Sequence, residues 1–199
     1  MGYNPKIRPH GSTKIGTGIY LQWNYGTHNK DLFINAKMQV FGSAATQDIA
    51  EQMKKGIESY WTKSFPSGHS IKTGVDMCYR KDNVQEASRI QIIVTNESGP
   101  SIASHERTRD TDSICVRFHI NDEYDTNKIP GRMAHEFGHL ISLGDEYEDL
   151  NKGKNEPRHI KVKLGWENNI MANIDGIVES RNIEEIFIQN CREYDDDDF

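Results

Sequence analysis

His135, Glu136 and His139 are the residues of this chain whose types and spacing most directly specify chemistry. On a helix, residues i and i+4 share one face, so both imidazoles can aim ring nitrogens at one ion about 2.0–2.1 Å from each. Glu136 is turned by about 100° from His135. It can then contact a water on the ion without ligating the ion itself, which is the placement a general base requires. Zinc suits this set, because it draws the pKa of such a water toward about 7. A third ligand must come from elsewhere. Asp145 lies ten residues after His135, just past Gly144, where a sharp turn would bring its carboxylate back to the ion.

These side chains need a deeply held helix. Pro130 is pre-shaped for a first helical position, and the helix is expected to run to about Leu143, where Gly144 can end it. Met133, Ala134, Phe137, Leu140 and Ile141 make much of its circumference apolar, which predicts burial. Gly138 costs about 1 kcal/mol relative to Ala inside a helix, and makes sense where something packs closely.

The rest of the chain reads as support for that helix. Alternating apolar residues predict strands at Ile19–Tyr25, Leu32–Phe41, Val75–Arg80, Arg89–Asn96 and Ser113–Ile120. Between them Ile49, Met53, Ile57, Tyr60 and Trp61 fall on one helical face, giving a helix over 47–62 with Thr46 as N-cap. A last helix is expected near 182–192, with Asn182 and Glu185 as a capping box. Residues 1–17 read as a loosely ordered arm, 151–158 as a polar loop and 193–199 as a solvated acidic tail. No repeat or linker divides the chain, so a single α+β domain over 1–199 is expected.

Composition narrows the partners. Lys and Arg number 24 against 30 Asp and Glu, for a formal net charge of -6, which repels a phosphate backbone and argues against nucleic acid. Mean hydropathy is -0.75, and no window approaches the roughly 18 apolar residues a transmembrane helix needs. The first residues lack the apolar stretch of a secretion signal, so the protein is expected to be made in the cytoplasm. Cys78, Cys115 and Cys191 are too few and scattered for a disulfide framework and read as reduced thiols.

The spacing of His135, Glu136, His139 and Asp145 resembles the metzincin zinc signature, HExxHxxGxxH/D, in its Asp variant. Asn168 to Asn173, around Met171, is similar to the Met-turn of that family. The resemblance implies a twisted sheet with an N-terminal helix, an active-site helix, a Met-turn and a C-terminal helix. It implies zinc as cofactor, a peptide or protein as substrate and hydrolysis of an amide bond. In metzincins the edge strand before the active-site helix pairs with extended substrate, which here points to Ser113–Ile120 and its apolar residues Ile114, Val116 and Phe118. The run His135–Tyr147 is also similar to metzincin-like toxin domains delivered by bacterial specialised secretion systems, which would bring a cognate inhibitor or a secretion component as partner.

One position departs from the family pattern. The glycine expected seven residues after His135 is Ser142, so either Ser142 makes the turn at positive φ or Gly144 makes it. In the second case Glu146 competes with Asp145. A distant Glu such as Glu179 would make the site gluzincin-like, and a thiolate from Cys115 is a further alternative. No Tyr follows Met171 closely, which leaves Tyr147 as a substitute oxyanion donor. The non-enzymatic alternative is a peptide-binding module in which zinc only staples the loop after the helix.

Overall fold

The predicted alternation builds one mixed sheet with helices against a single face. The computed structural model describes residues 7–97, 101–107, 112–120, 126–151 and 159–191. Strands β1 (His10–Ile15), β2 (Ile19–Tyr25) and β3 (Lys30–Phe41) form an antiparallel run, and helix α1 (Gln47–Tyr60) follows. After the short β4 (Lys63–Ser64), β5 (His69–Tyr79) lies parallel to β3, as α1 provides the crossover. Next come β6 (Ile90–Thr95), β7 (Ile102–Arg107) and β8 (Asp112–His119), then a 3-10 turn (Thr126–Lys128) and α2 (Ile129–Leu140). A separate pair, β9 (Tyr147–Asp149) with β10 (Ile160–Val162), precedes α3 (Ser180–Asn190). The resulting class is mixed α+β, as expected.

Strand order explains how the sheet reaches the helix. β6 joins the second half of β3 at Met38–Phe41, beyond the point where β2 ends, and β8 and then β7 follow. Ile19, Leu21, Ile34, Met38, Ile92, Val94, Val116 and Phe118 point to the helices and are buried, while Tyr20 and Phe33 on the other face stay exposed. Across that core α1 meets α2. Its predicted face is correct, with Met53, Ile57 and Trp61 fully buried, and the Thr46 hydroxyl accepts from Ile49 N–H at 3.2 Å. A Cβ at Gly56 would lie 2.4 Å from the Pro130 carbonyl oxygen, so the glycine permits the close crossing of the two helices. Trp61 locks the pair by donating its indole N–H to the Ala134 carbonyl at 2.9 Å.

Several expectations are corrected. Residues 10–15 are not a loose arm: they pair with β2, because Gly16 and Gly18 at positive φ reverse the chain into a hairpin. Arg8 N–H also bonds the Cys191 carbonyl, tying this segment to the end of α3. β8 is not an edge strand. It lies between β6 and β7, so Ile114, Val116 and Phe118 fill the core and cannot face a substrate. The edge is β7, whose Ile102-Ala103-Ser104-His105-Glu106-Arg107 lacks the apolar alternation of a half-buried strand. α3 starts earlier than expected, with Glu179 rather than Asn182 as N-cap; Glu179 and Asn182 form the reciprocal box. The acidic tail 193–199 and most of the polar loop lie outside the described residues.

Candidate metal centre

Helix α2 carries Pro130 in its first turn and ends at Leu140, with Ile141 as C-cap three residues before Gly144. The turn is made by Ser142, at φ 77°, and Ser142 and Leu143 N–H groups bond back to His139 and Gly138 carbonyls. This left-handed backbone is the conformation for which glycine is the usual choice. Its consequence is that residues 143–146 double back along the helix and deliver Asp145 to the two histidines.

The three donors converge. The Nε2 atoms of His135 and His139 are 3.2 Å apart, and Asp145 Oδ1 lies 3.3 Å from each. A tetrahedral site with bonds of about 2.0–2.1 Å needs donor separations of about 3.3–3.4 Å, so this triangle has the size of one tetrahedral face. Proton placement agrees. His135 Nδ1 is 2.8 Å from the Ile170 carbonyl oxygen and His139 Nδ1 is 2.9 Å from that of Leu143. A carbonyl can only accept, so both Nδ1 atoms donate and neutral imidazoles present Nε2 lone pairs. Three electron-rich atoms then face one another, an arrangement that a divalent cation stabilises.

Burial disfavours charge on Asp145, but hydrogen bonds from His135 and His139 outweigh it and hold the carboxyl far below its ordinary range. Burial likewise opposes a charged His139, yet Asp145 and the Leu143 carbonyl raise its pKa. Glu136 stands next to the cluster, buried to 7% exposure. Burial pushes its carboxyl up, while the two imidazoles and a backbone hydrogen bond from Ala103 pull it back. The net direction is upward.

Segment 168–173 forms the floor. Ala172 and Asn173 N–H groups both bond to the Asn169 carbonyl, and Asn169 Oδ1 accepts from Met171 N–H. This turn holds the site at both ends: Ile170 offers its carbonyl to His135, and Met171 offers its own to Glu146 N–H. Met171 is fully buried against α2, where a Cβ at Gly138 would lie 2.3 Å from its sulfur. The close packing that Gly138 implied is therefore against Met171 and Trp61.

Other candidates fall outside the group. Glu146 is buried and paired with Lys163 at 2.8 Å. Glu179 caps α3 and binds Asn169 and Arg181, which leaves it no role as a ligand here. Cys115 sits on β8, and no cysteine belongs to the group among the described residues. Tyr147 lies close, its ring stacked on His135 at 6.4 Å between centroids and 15° between planes. The sequence reading missed Arg132, a buried guanidinium on α2 that bonds the His119 carbonyl and Ser101 Oγ. It also missed Lys163, which reaches both Glu146 and the Asp145 carbonyl.

No protein-family model matches this sequence, and no curated protein matches it. Among solved structures, that of myroilysin aligns with 80% of this chain and 94% of its own, at 9% identity and a TM-score of 0.43.

Proposed function

We propose that this chain is a zinc-dependent peptidase in which His135, His139 and Asp145 hold the metal and Glu136 is the general base. The observation that carries this reading is the triangle of donor atoms at 3.2–3.3 Å with a buried carboxylate beside it. Bound there, zinc supplies Lewis acidity at a site with one coordination position left to solvent or substrate. Glu136 takes a proton from the attacking water at its carboxylate oxygen and returns it to the leaving amine nitrogen. A carboxyl that burial raises is a stronger proton acceptor than an exposed one, which suits both steps. A purely structural zinc site has no need of such a base.

The edge strand supplies the substrate platform. Among the described residues β7 has β8 on one side only, and the Ala103 backbone is the point at which this edge reaches Glu136. An extended peptide that pairs with the other side of β7 lies alongside Glu136, and main-chain hydrogen bonds align it. The substrate is therefore read as a peptide or protein segment in extended conformation.

Glu136→Gln is expected to retain the metal and to lose roughly 10²–10⁴-fold in peptide hydrolysis. Asp145→Ala is expected to lower metal stoichiometry. Undiminished hydrolysis by Glu136→Gln would reject the mechanism and favour a non-catalytic metal-stapled module. For the biological setting we propose an exported toxin, on the resemblance of His135–Tyr147 to such domains; a neighbouring inhibitor gene is the feature to seek.

A further inference from the structure

Arg132 is a charged residue with only 7% exposure, and the proposed chemistry does not use it. It lies one turn before Glu136 on the same face of α2. Its guanidinium donates to the His119 carbonyl at 3.1 Å and to Ser101 Oγ at 2.8 Å, and it rests 4.8 Å above the Phe118 ring. Ser101 Oγ accepts in addition from His119 N–H at 3.3 Å. One side chain of α2 thus joins the last residue of β8 to the residue that leads into β7.

The second link between α2 and this edge is the hydrogen bond from Ala103 N–H to Glu136. The spacings agree. Arg132 and Glu136 are separated by about 6.0 Å along a helix axis, and Ser101 and Ala103 by about 6.6–6.8 Å along a strand. Two contacts at matched intervals brace the strand against the helix, in addition to the ladder that pairs it with β8. Among the described residues β7 pairs with one strand only, β8.

We propose that Arg132 is a positioning residue: by gripping Ser101 it sets the register of the edge strand against α2 and holds Ala103 N–H at the Glu136 carboxylate. The consequence for peptide binding rests on the peptidase reading, whereas the grip on β7 does not.

The test uses the full chain with Arg132→Met and with Ser101→Ala, a milder change that keeps the buried arginine. Native-state hydrogen exchange is measured by NMR. In both variants the Ala103 amide is expected to exchange at least about tenfold faster, with the amides of β3 and β6 unchanged. Zinc affinity, measured by competition with a chelator, is expected to stay within about twofold in both, since the donor atoms keep their carbonyl partners. Where the wild type cleaves peptides, KM rises more for a peptide long enough to pair with β7 than for a substrate too short to pair. Unchanged Ala103 exchange in Ser101→Ala, equal acceleration in β3, or equal KM changes for long and short substrates would overturn the proposal. If the wild type cleaves no peptide, the peptidase reading fails and hydrogen exchange alone still decides the grip on β7.

Discussion

Ser142 and Gly138 show what single positions demand. Ser142 sits at φ 77°, and its hydroxyl donates to Asn190 at 3.2 Å on the surface. A non-glycine residue in this region is strained by roughly 1–2 kcal/mol, more than an exposed hydrogen bond returns. Ser142→Gly is therefore expected to stabilise the fold by up to about 1 kcal/mol, read as a rise in the urea midpoint. A fall in the midpoint would assign the larger effect to the Asn190 contact. Gly138→Ala should act in the opposite sense, although alanine is the better helix former. Its Cβ would meet Met171 Sδ at 2.3 Å, and overpacking of that kind typically costs about 1–3 kcal/mol. Combining it with Met171→Ala should cost less than the sum of the two single changes, and strict additivity of the melting shifts would refute the clash. The histidine pair and Asp145 were legible in the sequence because their spacing is local. The turn that unites them was ambiguous, because serine does not announce a left-handed backbone.

At the level of elements, legibility follows how strongly burial patterns a segment. Helix α1 buries one face and α2 is buried nearly all round, so the periodicity of the first and the apolar circumference of the second were readable, as were the β2 and β3 alternations. β7 pairs at the rim and its sequence carries no apolar alternation, so the edge was assigned to its buried neighbour β8. The start of α3 was displaced for a related reason: Glu179 serves as cap because Asn169 and Arg181 hold its carboxylate. α3 is fastened to the sheet through Glu184, which accepts from Tyr25, Lys30 and His69. Burial alone would raise the Glu184 pKa, but these hydrogen bonds win and lower it. A carboxylate depressed in the folded state adds stability above its unfolded pKa and loses it as pH falls through the folded value. Glu184→Gln should therefore narrow the gap to wild type as pH drops below about 4.5, the gap being widest near neutral pH. Urea midpoints collected across that range test the sign, and a gap that widens in acid would refute it.

Across the whole molecule, the donor set is local in sequence, but it is held by parts that are not. α2 provides two imidazoles, the reversed turn provides Asp145, and the Met171 turn fixes His135 and Glu146 from below. Lys163, next to β10, bonds both Glu146 and the Asp145 carbonyl, so the small β9–β10 sheet steadies the acidic ligand from the side. A cation bound to His135, His139 and Asp145 would cross-link these parts in the folded state, and the unfolded chain offers no equivalent arrangement. The net charge of -6 also favours cation capture over repulsion. Linkage then sets the size of the effect: at free zinc about 100-fold above the dissociation constant, stability rises by about 2.7 kcal/mol. For a chain of this length that corresponds to roughly 5–10 °C in Tm. Chelator should remove the increment, and Asp145→Ala should shrink it while Glu136→Gln preserves it, since Glu136 stands beside the donor atoms without joining them. Equal loss in both variants would place Glu136 among the ligands and leave the chain without its proposed base.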